Sequence, residues 1–339
     1  MKIIHIIPTL NTGGAESFLL ALSTHLEKRN SKQVIYTLSN PVDHDLTHQF
    51  NSEIEIYSDE IKILDLMKGD SNISIICWMY PAILFVEKLR LINRFKNPII
   101  WNIRHSNFTR CQVKQKAGVL MLGFFSRLMN RKIIYCAFAA KKFHEKLFFS
   151  KKTSLVIQNR LAKLILFKKS SKKASYLLYV GRYDYLKGPD RLLSICNEYF
   201  KTKDSRDLII AGSGWDYNKI PKTIKGRVSL VGNVTNLGEL YQNAFCFLFT
   251  SRSEGYPNGV IEACSFGIPV IGFSAGDSDI ILKNYEYAKV VKNKSEFVLE
   301  LSNLKEISTN QRKRQGEMVR KHFHFDFTVN EYIKYISSK

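Results

Sequence analysis

The feature that most constrains this chain is a series of short apolar runs, bounded by turn residues and separated by amphipathic stretches. In the first half they read KIIHIIP, KQVIYTLS, ISIICWM, PIIWNIR, KIIYCAF and SLVIQN. A strand that is apolar on both faces must be covered on both, so this alternation predicts parallel strands flanked by helices. Residues 161–175 include a polar, basic run suited to a linker, and the pattern then restarts with YLLYVGR, DLIIAGSG, RVSLVG, AFCFLFTS and IPVIGFS. Two such halves predict an α/β fold of two Rossmann-like, doubly wound domains facing across a cleft, with ligands at the carboxyl ends of the strands. The final FDFTVNEYIKYISSK is amphipathic and predicts a terminal helix.

A chain of 339 residues exceeds what one core organises and fits two domains. With 45% apolar and 12% aromatic residues and no biased repeat, it reads as globular rather than disordered or solenoidal. The start MKIIHIIPTLNTGGAE is broken by Pro8 and Asn11 before any cleavage site, so it reads as a first strand and not a secretory signal. The longest apolar stretch, AGVLMLGFFSRLM at 117–129, is too short to span a bilayer. Cys77, Cys111, Cys136, Cys196, Cys246 and Cys264 show no metal or disulfide spacing and read as reduced cytoplasmic thiols.

The formal charge of +21 is regional: between Lys88 and Lys173 there are 22 Lys and Arg against one acid, Glu145. Everything outside that segment is neutral in sum. Such a region attracts polyanions, either nucleic acid or an anionic membrane leaflet. The interleaving of apolar and basic residues in FFSRLMNRKIIYCAFAAKKFHEKLFFSKK (124–152) is typical of interfacial segments, and equally of helices on a buried sheet. No RNP, helix-turn-helix or zinc-finger signature supports nucleic acid.

Four motifs fall at strand ends. TLNTGGAES (9–17) puts Gly13 and Gly14 where a helix begins, so that backbone amides can approach an anion, but it lacks the G-x-G-x-x-G dinucleotide fingerprint. WNIRHSNF (101–108) places Arg104 and His105 just past a strand. YVGRYDYLKGPDRLL (179–193) sets Arg182 and Lys187 on one strand–helix loop, where a guanidinium fork and a point charge can converge on a diphosphate. IIAGSGWD (209–216) adds Gly212. The segment SEGYPNGVIEACSFGIPVI (253–271) puts Glu254 in a loop and Glu262 in a helix, with Pro257 near its start and Gly267 ending it. Two carboxylates suggest a hydrolysing glycosidase, yet the helix dipole, loop amides and nearby cations favour an anion. A sugar linked to a nucleoside diphosphate engages all of these groups.

These residues carry a resemblance. GGAE (13–16), WNIRHSN (101–107), VGRYDYLKG (180–188), IAGSG (210–214), VGNV (231–234) and SRSEGYPNGVIEACSFGIPVI (251–271) resemble, in order and spacing, the retaining GT-B glycosyltransferases of family 4, the group 1 glycosyl transferases. The resemblance covers nearly the whole chain and includes the E-x7-E motif. It implies an acceptor domain at 1–165, a nucleotide-sugar domain at 174–322 and a helix at 323–339 returning to the first domain. It implies that Glu262 accepts hydrogen bonds from the ribose hydroxyls, that Glu254 lies near the hydroxyls of the donor sugar, and that Arg182 and Lys187 neutralise the departing diphosphate. It implies donor contacts from Gly13, Gly14, Gly212, Gly232, Asn233, Val234, Gly255, Tyr256, Pro257, Asn258 and Gly259, with His105 facing the reacting centre. Glu16 and Arg104 are implied to contact the acceptor.

The activity implied is hexosyl or N-acetylhexosaminyl transfer from a UDP- or GDP-type sugar to a free or lipid-linked glycan in bacterial surface polysaccharide assembly. The enzyme is then peripheral on the inner face of the cytoplasmic membrane, held to anionic lipid by the 88–173 region. Preorganised cations suffice for a diphosphate leaving group, so neither metal nor cofactor is expected, and Asp279 of GDSDI (276–280) reads as the acid opening a helix. Departures occur at Ala137, where a serine is usual, and at IQNRLA (157–162), which keeps Asn159 but lacks the family's proline, glycine and acid. The alternatives are a GT-B nucleotide-sugar epimerase or hydrolase and, from another class, a basic nucleic-acid-binding protein.

Overall fold

The computed structural model describes residues 1–11, 13–39, 47–106, 113–161, 175–202, 205–234 and 236–338, with side chains omitted at 113–115. Residues 162–174 of the expected linker stretch at 161–175, and with them Ala162, lie outside the described residues, as does Cys111. The chain forms two units: Met1–Lys163 with Phe325–Lys339, and Leu164–His324.

The first unit is a seven-stranded parallel sheet of β1 (Lys2–Ile7), β2 (Lys32–Thr37), β3 (Glu55–Tyr57), β4 (Ser74–Trp78), β5 (Ile99–Ile103), β6 (Lys132–Tyr135) and β7 (Ser154–Val156), in the order β3-β2-β1-β4-β5-β6-β7. β4 and β5 are buried at every position, as the unbroken apolar runs require. Helix α1 (Gly14–Glu27) seats Phe18, Leu19, Leu22 and Leu26 on this sheet, and α2 (Glu60–Gly69), capped by Asp59, buries Ile63 and Met67. Helices α3 (Met79–Asn93), α4 (Val113–Leu128) and α5 (Phe138–Glu145) follow β4, β5 and β6. The chain's last helix, α12 (Phe325–Ser337), joins the same core through Phe325, Val329, Tyr332 and Ile336.

The second unit is a six-stranded parallel sheet of β8 (Tyr176–Val180), β9 (Leu208–Ala211), β10 (Val228–Gly232), β11 (Ala244–Phe249), β12 (Val270–Phe273) and β13 (Ala288–Val291), in the order β10-β9-β8-β11-β12-β13. Its helices are α6 (Pro189–Tyr199), α7 (Gly238–Asn243), α8 (Asn258–Ser265), α9 (Ser278–Leu282), α10 (Lys294–Ser302) and α11 (Thr309–His322). Leu177, Leu192, Leu208, Leu248, Ile271 and Phe297 belong to one core between them.

In both sheets the strand order reverses direction at one point, between β1 and β4 and between β8 and β11. The loops leaving paired strands there diverge to opposite faces and open a crevice, which is where open α/β sheets bind ligands. In the second unit those loops are the ones that follow β8 and β11, which carry Lys187 and Glu254.

Candidate active site

The loop after β8 rises through Arg182, closes in a 3-10 turn at Tyr185–Lys187 capped by the Asp184 side chain, and enters α6 through Gly188 and Pro189. Gly188 has φ +69°, and a Cβ there would collide with the Thr250 carbonyl, so only glycine lets this loop approach the end of β11. The approach is fastened three ways. Tyr179 donates from its hydroxyl to the Lys187 carbonyl at 3.1 Å, and the Thr250 hydroxyl lies 3.2 and 3.0 Å from the carbonyls of Lys187 and Gly188. Arg252 forks onto both oxygens of Asp190 at 2.7 and 2.5 Å, stacks 4.3 Å from the Tyr185 ring and donates to the Tyr185 carbonyl.

This fastening brings together two of the expected residues. Lys187 Nζ donates to both oxygens of Glu254, at 2.7 and 2.8 Å, and the Ser251 hydroxyl donates to Oε1 at 2.6 Å. The Glu254 side chain is 10% exposed and that of Lys187 30%, so a nearly buried carboxylate holds a partly exposed lysine. Gly276, at φ +61°, lets another turn pass close by, since a Cβ there would sit 3.0 Å from Glu254 Cβ. Arg182 is exposed, and no described side chain bonds or ion-pairs with its guanidinium.

Glu262 stands apart from that pair. It lies on α8, half-buried, and receives a hydrogen bond from the Tyr241 hydroxyl at 2.9 Å. Burial, and then the charge of Glu262, push the Tyr241 phenol well above its ordinary pKa, so it stays a donor throughout the working pH range. Pro257 serves as N-cap of α8, and helical geometry starts at Asn258 rather than at the proline. The segment from Gly255 to Gly259 therefore leads into a helix N-terminus at the crevice, with the Asn258 N–H given to the Tyr256 carbonyl at 2.9 Å and none at Pro257. Gly259 packs close, with a Cβ there 3.2 Å from the Phe247 ring. Gly212, at φ +144°, would collide with the Gly181 carbonyl if it carried a Cβ, and its N–H donates to the Gly232 carbonyl at 2.8 Å. Gly232, the last residue of β10, and Asn233 just past it are exposed, and Val234 is half-buried. Asp279 sits in the first turn of α9 and accepts from the Ser274 hydroxyl at 2.7 Å, in keeping with a helix-start acid.

In the first unit, Gly13 is the N-cap of α1 with an extended backbone, and Gly14 opens the helix. The Glu16 carboxylate lies so close over Gly13 that a Cβ there would meet it. Arg104 points inward: its guanidinium packs 3.9 Å from the Phe18 ring centre and 5.4 Å from that of Trp78, and it donates to the Asn159 side chain. That contact gives Asn159, the retained residue of IQNRLA, a structural partner. His105 meets Tyr80 edge to face at 4.8 Å and lies 6.1 Å from His144. Burial lowers His105 to about 4, so near pH 7 it is a neutral hydrogen-bonding ring and not a cation. The preceding turn is strained, with Met79 at φ +67° at the strand-order reversal.

Ser251, Tyr241, Arg252 and Asp190 were not expected from the sequence. Ser251 stands three residues before Glu254, but Tyr241 and Glu262 are 21 residues apart and Asp190 and Arg252 are 62 apart. No local spacing rule links such pairs.

Comparison with known proteins agrees with this fold. Residues 163–322 match the family model described as glycosyl transferases group 1. The chain is 25% identical, over 99% of its length and 98% of the relative's, to a Campylobacter jejuni α-1,4-N-acetyl-D-galactosaminyltransferase named for a GalNAc-containing, diphosphoundecaprenol-linked acceptor. It is also 25% identical to the Staphylococcus aureus capsular polysaccharide biosynthesis glycosyltransferase CapH, over 89% of this chain and 87% of that one. HepE of Anabaena, solved with UDP and glucose, superposes with a TM-score of 0.80 at 13% identity, covering all of both chains. Fold and matches together make the chain a glycosyltransferase of the GT-B class. Its second unit carries the group 1 glycosyl transferase domain.

Proposed function

We propose that the enzyme moves a sugar, with retention of configuration, from a UDP- or GDP-type donor to a lipid-linked glycan during bacterial surface polysaccharide assembly. The observation that carries this reading is the Lys187–Glu254 pair at the strand-order reversal, with Arg182 exposed on the same loop. As the sugar–phosphate bond breaks, negative charge grows on the diphosphate. A preorganised ammonium, a guanidinium fork and backbone N–H groups such as those of Gly255 and Gly259 stabilise that charge without a metal. Glu254 orients Lys187 beside the sugar hydroxyls, while Glu262 takes the ribose. The names of the Campylobacter relative and of the HepE complex support a lipid-linked acceptor and a UDP donor.

The test is thermal protection across a panel of nucleotide sugars, followed by transfer to a lipid-linked acceptor with the anomeric product assigned by NMR. One donor is expected to protect, and Arg182→Ala, Lys187→Ala and Glu254→Gln to lose transfer. Full-rate donor hydrolysis without acceptor would replace this reading with a hydrolase.

The acceptor reading sets the first unit against a bilayer, and a surface stripe supports it. On α4, Val119, Leu122 and Ser126 face the core, while Met121, Phe124, Phe125 and Leu128 repeat at helical spacing on the outside; Leu128 is 81% exposed. Phe148 stacks on Phe124 at 4.8 Å, and Arg127 lies 5.8 Å from the Phe148 ring. Lys142, Lys146, Lys151 and Lys152 belong to the same basic stretch. No helix of the described residues is long and apolar enough to cross a membrane. Such a surface suits shallow insertion beside anionic headgroups. The protein is expected to sediment with anionic but not zwitterionic vesicles, and Phe124→Glu/Leu128→Glu to release it. Tight RNA or DNA binding at physiological salt without vesicle binding would favour the nucleic-acid alternative.

A further inference from the structure

We infer that Arg252 is a positioning residue for Lys187: its guanidinium clamps the turn that carries the lysine, at residues before and after it, and so sets where the ammonium meets a diphosphate. The inference rests on the reading above that Lys187 neutralises the diphosphate, and adds the residue that holds its turn in place.

The stretch 252–254 takes hold of that turn twice. Its last residue, Glu254, binds the Lys187 ammonium. Its first, Arg252, engages neighbours of the lysine on either side in the sequence. Before it, the guanidinium donates to the Tyr185 carbonyl at 2.9 Å and lies 4.3 Å from the Tyr185 ring. After it, the fork takes both oxygens of Asp190 at 2.7 and 2.5 Å.

The hydroxyls of Tyr179 and Thr250 bind elsewhere on the turn, at the carbonyls of Lys187 and Gly188. Tyr185 is 69% exposed, so packing does little to hold its side. A neutral hydroxyl fixes one carbonyl, whereas a planar guanidinium with two donors on two oxygens fixes direction as well as distance. The hydrogen bond from Arg252 also holds the Asp190 carboxyl below the usual carboxylate range, so both partners of the fork stay charged.

Two plainer roles compete with this one. Asp190 lies in the first turn of α6, where an acid suits the helix dipole without any partner. Its side chain is 63% exposed, and ion pairs at that exposure usually add little to global stability. Neither role acts through Lys187, so each predicts that removing the guanidinium weakens no ligand by way of the lysine.

Calorimetric titration of UDP and GDP into wild type, Lys187→Ala, Arg252→Ala and the double variant tests the clamp. The backbone N–H of Arg252 donates to the Leu186 carbonyl at 2.7 Å, a bond that the substitution leaves in place while it removes the guanidinium. For the nucleotide that binds, Lys187→Ala should weaken affinity by about tenfold or more, and Arg252→Ala by about three- to tenfold. On the Lys187→Ala background the second substitution should cost no more than about twofold, since no ammonium is left to place. Asp190→Asn, which keeps the shape and removes the charge, should reproduce most of the Arg252→Ala loss. If that loss persists in full without the lysine, Arg252 supports the site in general and the inference falls. It falls likewise if Arg252→Ala leaves affinity unchanged while Lys187→Ala weakens it. If neither nucleotide binds, or Lys187→Ala changes nothing, the diphosphate reading fails first and the clamp with it. Should Arg252→Ala not fold, Arg252→Lys, which keeps the charge without the fork, and Asp190→Asn carry the same cycle.

Discussion

At the scale of single residues, the candidate site is built from charges held in place by partners. Glu254→Gln removes the anion that places Lys187, and is expected to lower kcat/KM by about 100-fold or more while the thermal midpoint changes little; a steady-state assay beside a melting curve checks both. Acid sensitivity also resides in residues. His5 is fully buried, accepts from the Trp78 indole at 3.3 Å and is held by burial at about 4. His144 donates through Nδ1 to the Ala140 carbonyl, so its Nε2 accepts from the Tyr80 hydroxyl, and burial lowers it to about 3. Both folded values lie below the ordinary 6.5, so the unfolded chain takes up protons first. Their contribution to stability is complete above about pH 6.5 and is lost as pH falls from there toward 4 and 3. At pH 5 the loss is roughly 2 kcal/mol for each, and melting curves at pH 7 and 5 should show it; equal midpoints would refute the assignment.

At the scale of elements, backbone approaches at two glycines hold the second unit's loops in register. Gly267 ends α8 at φ +67°, and a Cβ there would run into the Arg312 carbonyl of α11. Gly267→Ala combines a left-handed conformation with a clash against backbone, and is expected to destabilise by about 2–4 kcal/mol, read from urea midpoints. Gly188→Ala should cost a similar amount and, by pushing the β8 loop off Thr250, should also weaken nucleotide binding. The edge strands of the two sheets tell a related story. β3 and β13 carry mostly half-buried or exposed residues, and neither appears among the apolar runs of the sequence. An edge strand needs covering on fewer sides, so its composition need not announce it, although the opposite edges, β7 and β10, kept recognisable apolar runs.

At the scale of the whole molecule, α12 belongs to a unit that begins more than 300 residues earlier in the chain. Phe325, Val329, Tyr332 and Ile336 are at most 5% exposed, and the Tyr332 hydroxyl accepts from the Asn102 side chain at 3.0 Å. Removing residues 325–339 exposes four large core side chains at once. At about 2–4 kcal/mol each, their loss exceeds the stability of most domains. Truncation after His324 is therefore expected to unfold the first unit, while the second, with its own core, still gains thermal protection from nucleotide. Loss of that protection as well would show that the units fold as one. The basic segment is likewise revised at this scale. Arg131 forks onto both oxygens of Glu87 at 2.8 Å and is 8% exposed, and Lys132 is tied to the carboxyl end of α12. Part of the 88–173 charge thus holds the fold together and is withheld from any surface partner.

By itself the sequence determined the fold class and the strand ends that matter, because a doubly covered parallel strand must be apolar throughout and a loop approaching an anion must contain glycine. It also singled out Glu254 and Glu262 within one long local motif, and Lys187 within a separate one, as candidates. Only the tertiary structure decided how these groups are held. Lys187 meets Glu254 from 67 residues away, Tyr241 meets Glu262 from 21, and Arg104 packs its guanidinium on Phe18. Such pairings depend on which loops two strands of one sheet bring side by side, and that adjacency is a property of strand order, to which no local pattern of residues gives access.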